Sequence, residues 1–247
     1  FCPPERQVSF LPREARQSVR ISFKKGSSGV QQLRNLMLQK YKHISFDLDG
    51  TLVHTLPEYR QTIVRAVVAD LGKDSVTSQV IDRFWYEAGR DAIIQNELGV
   101  DPPAFWELFH AKDTPEARSP HTRAYEDAEP CIRRLKESGK IISVITGAPR
   151  WIAEMEVAKL NNAPIDLYFS IHGQNLPPKP DPSSFFLVLE KLHIIPAETL
   201  YIGNSNEDAY FAKNAGADFI YLERRQHQFD LRDIAIATID SLTELAN

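Results

Sequence analysis

Cysteine is scarce in this chain: Cys2 and Cys131 are the only two in 247 residues. Two thiols cannot build a disulfide framework, and Cys131, set in a helical pattern, reads as a small core residue. Long apolar runs are missing as well. No stretch approaches the ~20 residues that span a bilayer, and the first residues lack the apolar segment of a secretory signal. These absences set the expectation of a cytoplasmic protein without a membrane partner. A nucleic-acid motif is also absent, although residues 1–43 carry nine Lys and Arg against two acids. The remainder is acidic, so residues 1–40 read as a basic extension, solvated or docked on its own domain, and nucleic acid is not an expected partner. No feature of the sequence speaks to oligomeric state.

What remains is ordinary for a soluble globular chain, with 43% hydrophobic and 25% charged residues. A short amphipathic helix is expected over 31–41 and a first strand over 43–47. From 56 to 124 the pattern is helical throughout, with Ile63, Val64, Val67, Val68 and Leu71 keeping a 3.6-residue period. Further helical runs lie near 77–88 and 102–112. Beyond Ala128, strand and helix alternate: strands at 141–145, 166–171, 200–202 and 218–222, helices at 128–138, 149–161, 182–192 and 206–214. This order predicts an α/β fold, a doubly wound parallel sheet of 41–55 and 125–247 with an inserted all-helical cap at 56–124.

In such sheets ligands bind beyond the carboxyl ends of the strands, and the chemistry-bearing residues fall there. Ile44-Ser45-Phe46 runs into Asp47-Leu48-Asp49-Gly50-Thr51, two carboxylates converging at a strand end. Close carboxylates raise each other's pKa unless a cation or proton sits between them. Thr146-Gly147 follows the second strand, Lys179-Pro180-Asp181-Pro182 precedes a helix, and Gly203-Asn204-Ser205-Asn206-Glu207-Asp208 follows Ile202. Each piece has a plain structural reading: an Asp-Gly turn, a Thr helix cap, a surface lysine, a Ser205/Asp208 capping box. Their joint order at strand ends suits phosphoryl transfer, with an attacking carboxylate, a Mg²⁺ site and donors for the phosphoryl oxygens.

The segments FDLDGTLV (46–53), VITG (144–147), KPDP (179–182) and YIGNSNEDAYFAKNAG (201–216) resemble the haloacid dehalogenase superfamily, in its phosphoglycolate phosphatase and β-phosphoglucomutase-like branch. The resemblance covers roughly residues 43–225. It implies a Mg²⁺-dependent phosphatase of small phosphorylated metabolites, with a sugar-phosphate mutase as the alternative. By it, Asp47 is the nucleophile and Asp49 the general acid/base, its carbonyl also facing the metal. Thr146 and Gly147 hold phosphate, Lys179 bridges phosphate and Asp47, and Asp208 supports Mg²⁺. The family usually has Gly-Asp where this chain has Gly203-Asn204. Asn204 still offers an oxygen but removes a charge, for which Glu207 or Asp208 is the candidate replacement. Without one, a third reading opens, a weakly active or inactive binding module. His54 stands where an acid is common and, with Arg90, is a candidate substrate contact. Trp85, Tyr86, Trp106 and His110 are the other cap residues considered, the tryptophans mainly as cap core.

Overall fold

Strand-forming runs and helices alternate along the chain as their periodicities predict. The computed structural model describes residues 36–226 and 229–245; the basic arm, Cys2 and most of the first expected helix fall outside them, and of that helix 36–39 is helical. Six parallel strands form the core sheet: β1 (His43–Phe46), β4 (Ile141–Thr146), β5 (Leu167–Ser170), β6 (Thr199–Gly203), β7 (Asp218–Leu222) and β8 (Ala237–Ile239). Their order is β5-β4-β1-β6-β7-β8. β1 lies at the centre because its residues His43, Ile44, Ser45 and Phe46 are buried on both faces.

Phe46 pairs with Val144 on one side and Ile202 on the other. The Asp47 amide continues this ladder to the Ile202 carbonyl at 2.9 Å. The three motif-bearing loops therefore leave the sheet at one level, at the point where the chain order turns from one side of β1 to the other. Helix Ala128–Glu137 packs one face through Cys131, Ile132 and Leu135. Helices Ser183–Leu192 and Asn206–Ala215 cover the other through Phe185, Val188, Leu189, Phe211 and Ala212.

The inserted segment is helical, with helices Pro57–Asp70, Ser78–Tyr86, Arg90–Ile93, Pro102–Lys112 and Pro115–Arg118 among its elements. It has its own core of Ile63, Val64, Val67, Ile81, Phe84, Phe105 and Phe109. Caps punctuate it: Thr77, Asp101 and Thr114 each accept a first-turn amide. Two strands missed by periodicity join this segment to the sheet. β2 (Val53–Thr55) and β3 (Thr122–Ala124) pair antiparallel, with His54 opposite Arg123. Three residues each is too short for alternation to register. β8 escapes the sequence reading for the same reason.

Candidate active site

Asp47 leaves β1 and its carboxylate is fixed on both oxygens. Lys179 Nζ donates to Oδ1 at 2.8 Å, and Thr51 Oγ1 donates to Oδ2 at 3.0 Å. Lys179 also reaches Asp208 Oδ1 at 3.0 Å and the Tyr201 hydroxyl at 2.8 Å. Burial pushes the Asp47 carboxyl well above the usual carboxylate range; Lys179 opposes this and Asp208 adds to it. Burial also opposes the charge on Lys179, but Asp208 and Asp47 outweigh it and hold the ammonium charged.

Two glycines make this packing possible. A Cβ on Gly203 would stand 2.5 Å from Asp208 Cγ, so only glycine lets Asp208 reach under the strand end. Gly50, at φ +88°, would meet Asn204 Nδ2 at 2.3 Å. Asn204 is thereby laid across the turn after Asp49. Its Oδ1 accepts from Thr51 at 3.3 Å, and its Nδ2 donates to Gln226 Oε1 at 2.9 Å. Gln226 Nε2 in turn donates to the Tyr125 hydroxyl at 2.5 Å.

Asp49 is held from the other side. Arg118 Nη2 reaches Asp49 Oδ2 at 2.6 Å, while Asp49 Oδ1 is buried without a hydrogen-bond partner among the described residues. Arg118 Nη1 contacts Asp113 Oδ2 at 3.3 Å, and its Nε donates to Thr55 Oγ1 at 3.1 Å. Glu156 Oε1 lies 2.7 Å from Arg118 Nη2, yet neither Glu156 oxygen has an aligned donor among the described residues, so this contact is ionic. Burial raises the Glu156 carboxyl far above its ordinary value, with Arg118 opposing. Burial works against the charge of Arg118 too, but Glu156, Asp49 and Asp113 outweigh it.

A cavity of about 450 Å³ lies between sheet edge and cap and is lined by Asp47, Asp49, Thr146, Gly147 and Lys179 from below. Thr146 does not cap the next helix; its Oγ1 accepts the Ala148 amide at 3.1 Å. Ser205 does cap helix Asn206–Ala215, accepting the Asp208 amide, and its hydroxyl donates to Asp208 Oδ2 at 2.7 Å. Both oxygens of Asp208 are thus engaged, and its place is that of a second counter-ion to Lys179. Glu207 lines the cavity wall. Arg90 lines it from the cap, as do Trp85, Trp106 and His110. His54 does not line it; its ring stacks on Tyr125 at 4.6 Å in the hinge, where burial lowers its pKa.

The residues fit a hard divalent cation in part. Asp47 Oδ2 and Asn204 Oδ1 converge on one hydroxyl, Thr51, and the burial-raised Asp47 marks a site short of positive charge. Both are oxygen donors of the type Mg²⁺ takes. Among the described residues no cluster of three or more His, Cys, Asp or Glu is placed to hold a metal.

The sequence does not single out Arg118, Glu156, Asp113 or Tyr201 as site residues. Glu156 carries a signal: it follows Ile152 and Ala153 on the buried stripe of helix Arg150–Ala158. Arg118 carries none, sitting in a four-residue helical turn, Pro115–Arg118.

Residues 41–216 match the haloacid dehalogenase-like hydrolase family. A phosphoglycolate phosphatase of Pectobacterium atrosepticum is 30% identical over 193 residues, covering 72% of this chain and 79% of its own length. A solved structure from Bacteroides fragilis, described as a haloacid dehalogenase-like hydrolase, superposes with TM-score 0.69 at 23% identity, covering 83% of this chain and 99% of that one. One from Thermotoga maritima, described as a β-phosphoglucomutase, gives TM-score 0.62 at 22% identity, with coverage of 83% and 96%. These two likenesses concern the fold. With its family match spanning most of the described sheet and all of the cap, this chain belongs to the haloacid dehalogenase-like hydrolases.

Proposed function

We propose that the protein hydrolyses a small phosphomonoester through a phosphoryl group carried on Asp47. The observation that carries this reading is Asp47 itself, oriented by Lys179 and Thr51 on the floor of the cavity, with Asp49 beside it. Lys179 opposes the burial-driven rise of the Asp47 pKa, favouring the ionised, attacking carboxylate, and supplies a positive charge next to the phosphoryl oxygens. Thr146 and Gly147 line the same floor and offer hydroxyl and amide donors to those oxygens.

An Asp47 oxygen attacks phosphorus, and the bond from phosphorus to the leaving oxygen breaks. Asp49, protonated for this step, gives its proton to the departing alkoxide. A water then attacks the phosphorus, Asp49 takes the proton of that water, and the bond to Asp47 breaks to release inorganic phosphate. Asp49 Oδ1, which has no hydrogen-bond partner among the described residues, is the oxygen suited to this proton. Arg118 holds the other oxygen and so fixes the carboxyl against rotation.

Asp47, Asn204 and the Asp49 carbonyl would hold Mg²⁺, which supplies charge neutralisation to the phosphoryl group when bound. Closed over a bound substrate, the helical cap would shield the reacting atoms from bulk water.

The test is release of inorganic phosphate from a panel of small phosphomonoesters, with and without Mg²⁺, with Asp47→Asn as the blank. Mg²⁺-dependent turnover that vanishes in the variant is the expected result. No turnover above the blank would overturn the hydrolase reading in favour of a binding module, and isomerisation of a sugar phosphate without phosphate release would favour the mutase.

A further inference from the structure

The two ends of the cavity differ in chemistry. The floor is charged, whereas Phe84, Trp85, Trp106 and Phe109 line the cap side. The Trp106 indole N–H is committed to Asp91 Oδ1 at 2.7 Å. Asp91 is not a lining residue, so Trp106 offers the cavity its ring and no donor. Trp85 already carries the Arg118 guanidinium over its ring at 4.9 Å.

Neutral hydrogen-bonding groups are few on this side: the Trp85 indole N–H and the His110 imidazole, whose pKa burial lowers. Among the described residues the cap contributes no Ser, Thr, Asn, Gln or Tyr to the lining. Asp113 accepts from Tyr59 at 2.9 Å and from Arg118, and Arg118 is occupied by three carboxylates. What remains is the Trp85 indole N–H, Arg90, whose Nη2 donates to the Trp85 carbonyl and whose charge faces the lining carboxylate Glu207, and His110, facing His172 of the sheet side at 5.7 Å between ring centroids.

This lining decides between leaving groups. A sugar would press its hydroxyls against rings, and each unpartnered hydroxyl opposes binding. A two-carbon acid would occupy little of about 450 Å³ and leave apolar walls against water. A planar or apolar ring covers those walls. We propose that the site takes phosphomonoesters whose alcohol carries a planar or apolar ring, lying against Trp106 and Phe109, with one acceptor or anionic substituent directed to Arg90. This deepens the phosphatase reading and rests on it for catalysis, though not for binding.

Benzyl and ethyl alcohols are of similar acidity, so their phosphates differ in what the cavity touches more than in intrinsic reactivity. We expect kcat/KM for benzyl phosphate to exceed that for ethyl phosphate, 2-phosphoglycolate and glucose 6-phosphate by at least ~tenfold, the scale set by added apolar groups in a fitting pocket. Trp106→Ala should erase most of that preference and Trp106→Phe should keep it. Binding is read separately from catalysis. Trp85 and Trp106 line the cavity and Trp151 stands edge-on to His172 at 5.9 Å, so intrinsic fluorescence reports occupancy. Benzylphosphonate, which cannot be hydrolysed at the same bond, should bind at least ~tenfold tighter than methylphosphonate. Preference for phosphoglycolate or glucose 6-phosphate, or equal affinity for the two phosphonates, would overturn the proposal. Tight benzylphosphonate binding without Asp47-dependent turnover of any ester would support the ligand class and overturn the phosphatase reading instead.

Discussion

Two buried cations stand at the cavity, and they tie different things together. Lys179 is bound by Asp47 at the end of β1, Tyr201 within β6 and Asp208 in the helix that follows. It joins the sheet edge to itself. Arg118 is bound by Asp49 after β1, Thr55 in the hinge strand β2, Asp113 at the end of a cap helix and Glu156 in a core helix. It joins cap to core across the joint on which the cap would swing. The first cluster belongs to a rigid scaffold and serves charge placement. The second makes the position of Asp49 depend on the position of the cap, because the same guanidinium holds both.

The sharpest way to break this comparison is to remove each cation in turn. Arg118→Met leaves Asp49, Asp113 and Glu156 around an apolar side chain, and orphaning one partner of a buried pair costs about 3–5 kcal/mol. Urea unfolding at pH 7 should show a loss of that size, with Arg118→Lys losing less because the charge stays and the planar fork goes. A loss below about 1 kcal/mol, no more than an exposed pair contributes, would mean that the carboxylates simply take up protons and the cluster is not a tie. Lys179→Met orphans Asp47 and Asp208 in the same way and should cost a similar amount of stability, but it should also act directly on turnover. Loss of a preorganised donor at the reacting group lowers kcat by about 10²–10³-fold. If Arg118→Met lowers kcat as much as Lys179→Met does, the division of labour between the two clusters is wrong.

The same contrast explains what the sequence made legible. The Lys179 cluster is assembled by parallel strands whose ends are level, so residues just after each β-run must meet. Asp47, Thr146 and Gly147 can be found that way, with Asp208 in the segment that follows β6, whereas Lys179 lies well beyond the end of β5 and is marked only by its place before a helix. The strands and helices beyond Ala128 match their periodicities closely, and Asp218–Leu222 has the bounds expected of it. The Arg118 cluster obeys no such rule. Its members sit on a cap turn, a hinge strand, a cap helix end and a core helix, and only the packing of cap on core brings them together. Of these, Glu156 alone breaks a local pattern. Hinge strands β2 and β3 are hidden by their length, and Asp208 reads as a capping acid because its amide is the one that Ser205 caps. Its contact with Lys179 depends on the bare Cα of Gly203, a distance that no periodicity reports.

A third buried titratable group sharpens the comparison because it has no counter-ion in contact among the described residues. His43, within β1, bonds only side-chain hydroxyls there, Thr199 at 3.1 Å and Ser143 at 2.8 Å. Burial lowers its pKa from 6.5 to about 4. A histidine depressed in the folded state contributes its stability above the unfolded pKa and loses it as the pH falls through the folded one. That contribution, about 3 kcal/mol for a shift of this size, should be complete above pH 6.5 and drain away towards pH 4. Stability curves of wild type and His43→Asn should therefore converge over that window. Parallel curves would show that the imidazole is protonated inside the sheet without cost.

The smallest expected effect tests Asn204, the neutral oxygen donor of the proposed Mg²⁺ site. In Asn204→Asp the new carboxylate would face Gln226 Oε1, where the amide now donates. Rotating the Gln226 amide by half a turn presents Nε2 to the new carboxylate and turns Oε1 to the Tyr125 hydroxyl, which can donate to it. Thr51 keeps its acceptor. The substitution is therefore accommodated by one amide flip, and its main consequence is one added negative charge beside Asp47. Extra ligand charge tightens a hard-cation site, so the Mg²⁺ concentration for half-maximal turnover should fall by about tenfold, roughly 1.4 kcal/mol. Without Mg²⁺ the same charge lacks any partner like those around Lys179 and Arg118, so the variant should unfold at lower urea than wild type in EDTA and at equal or higher urea in Mg²⁺. If Mg²⁺ dependence is unchanged while turnover is already high, Asn204 is a sufficient oxygen donor as it stands and the reading of a decayed binding module is excluded. If turnover is low in wild type and rises in Asn204→Asp, the neutral amide is what limits the metal site, and the charge missing at Asn204 is supplied by neither Glu207 nor Asp208.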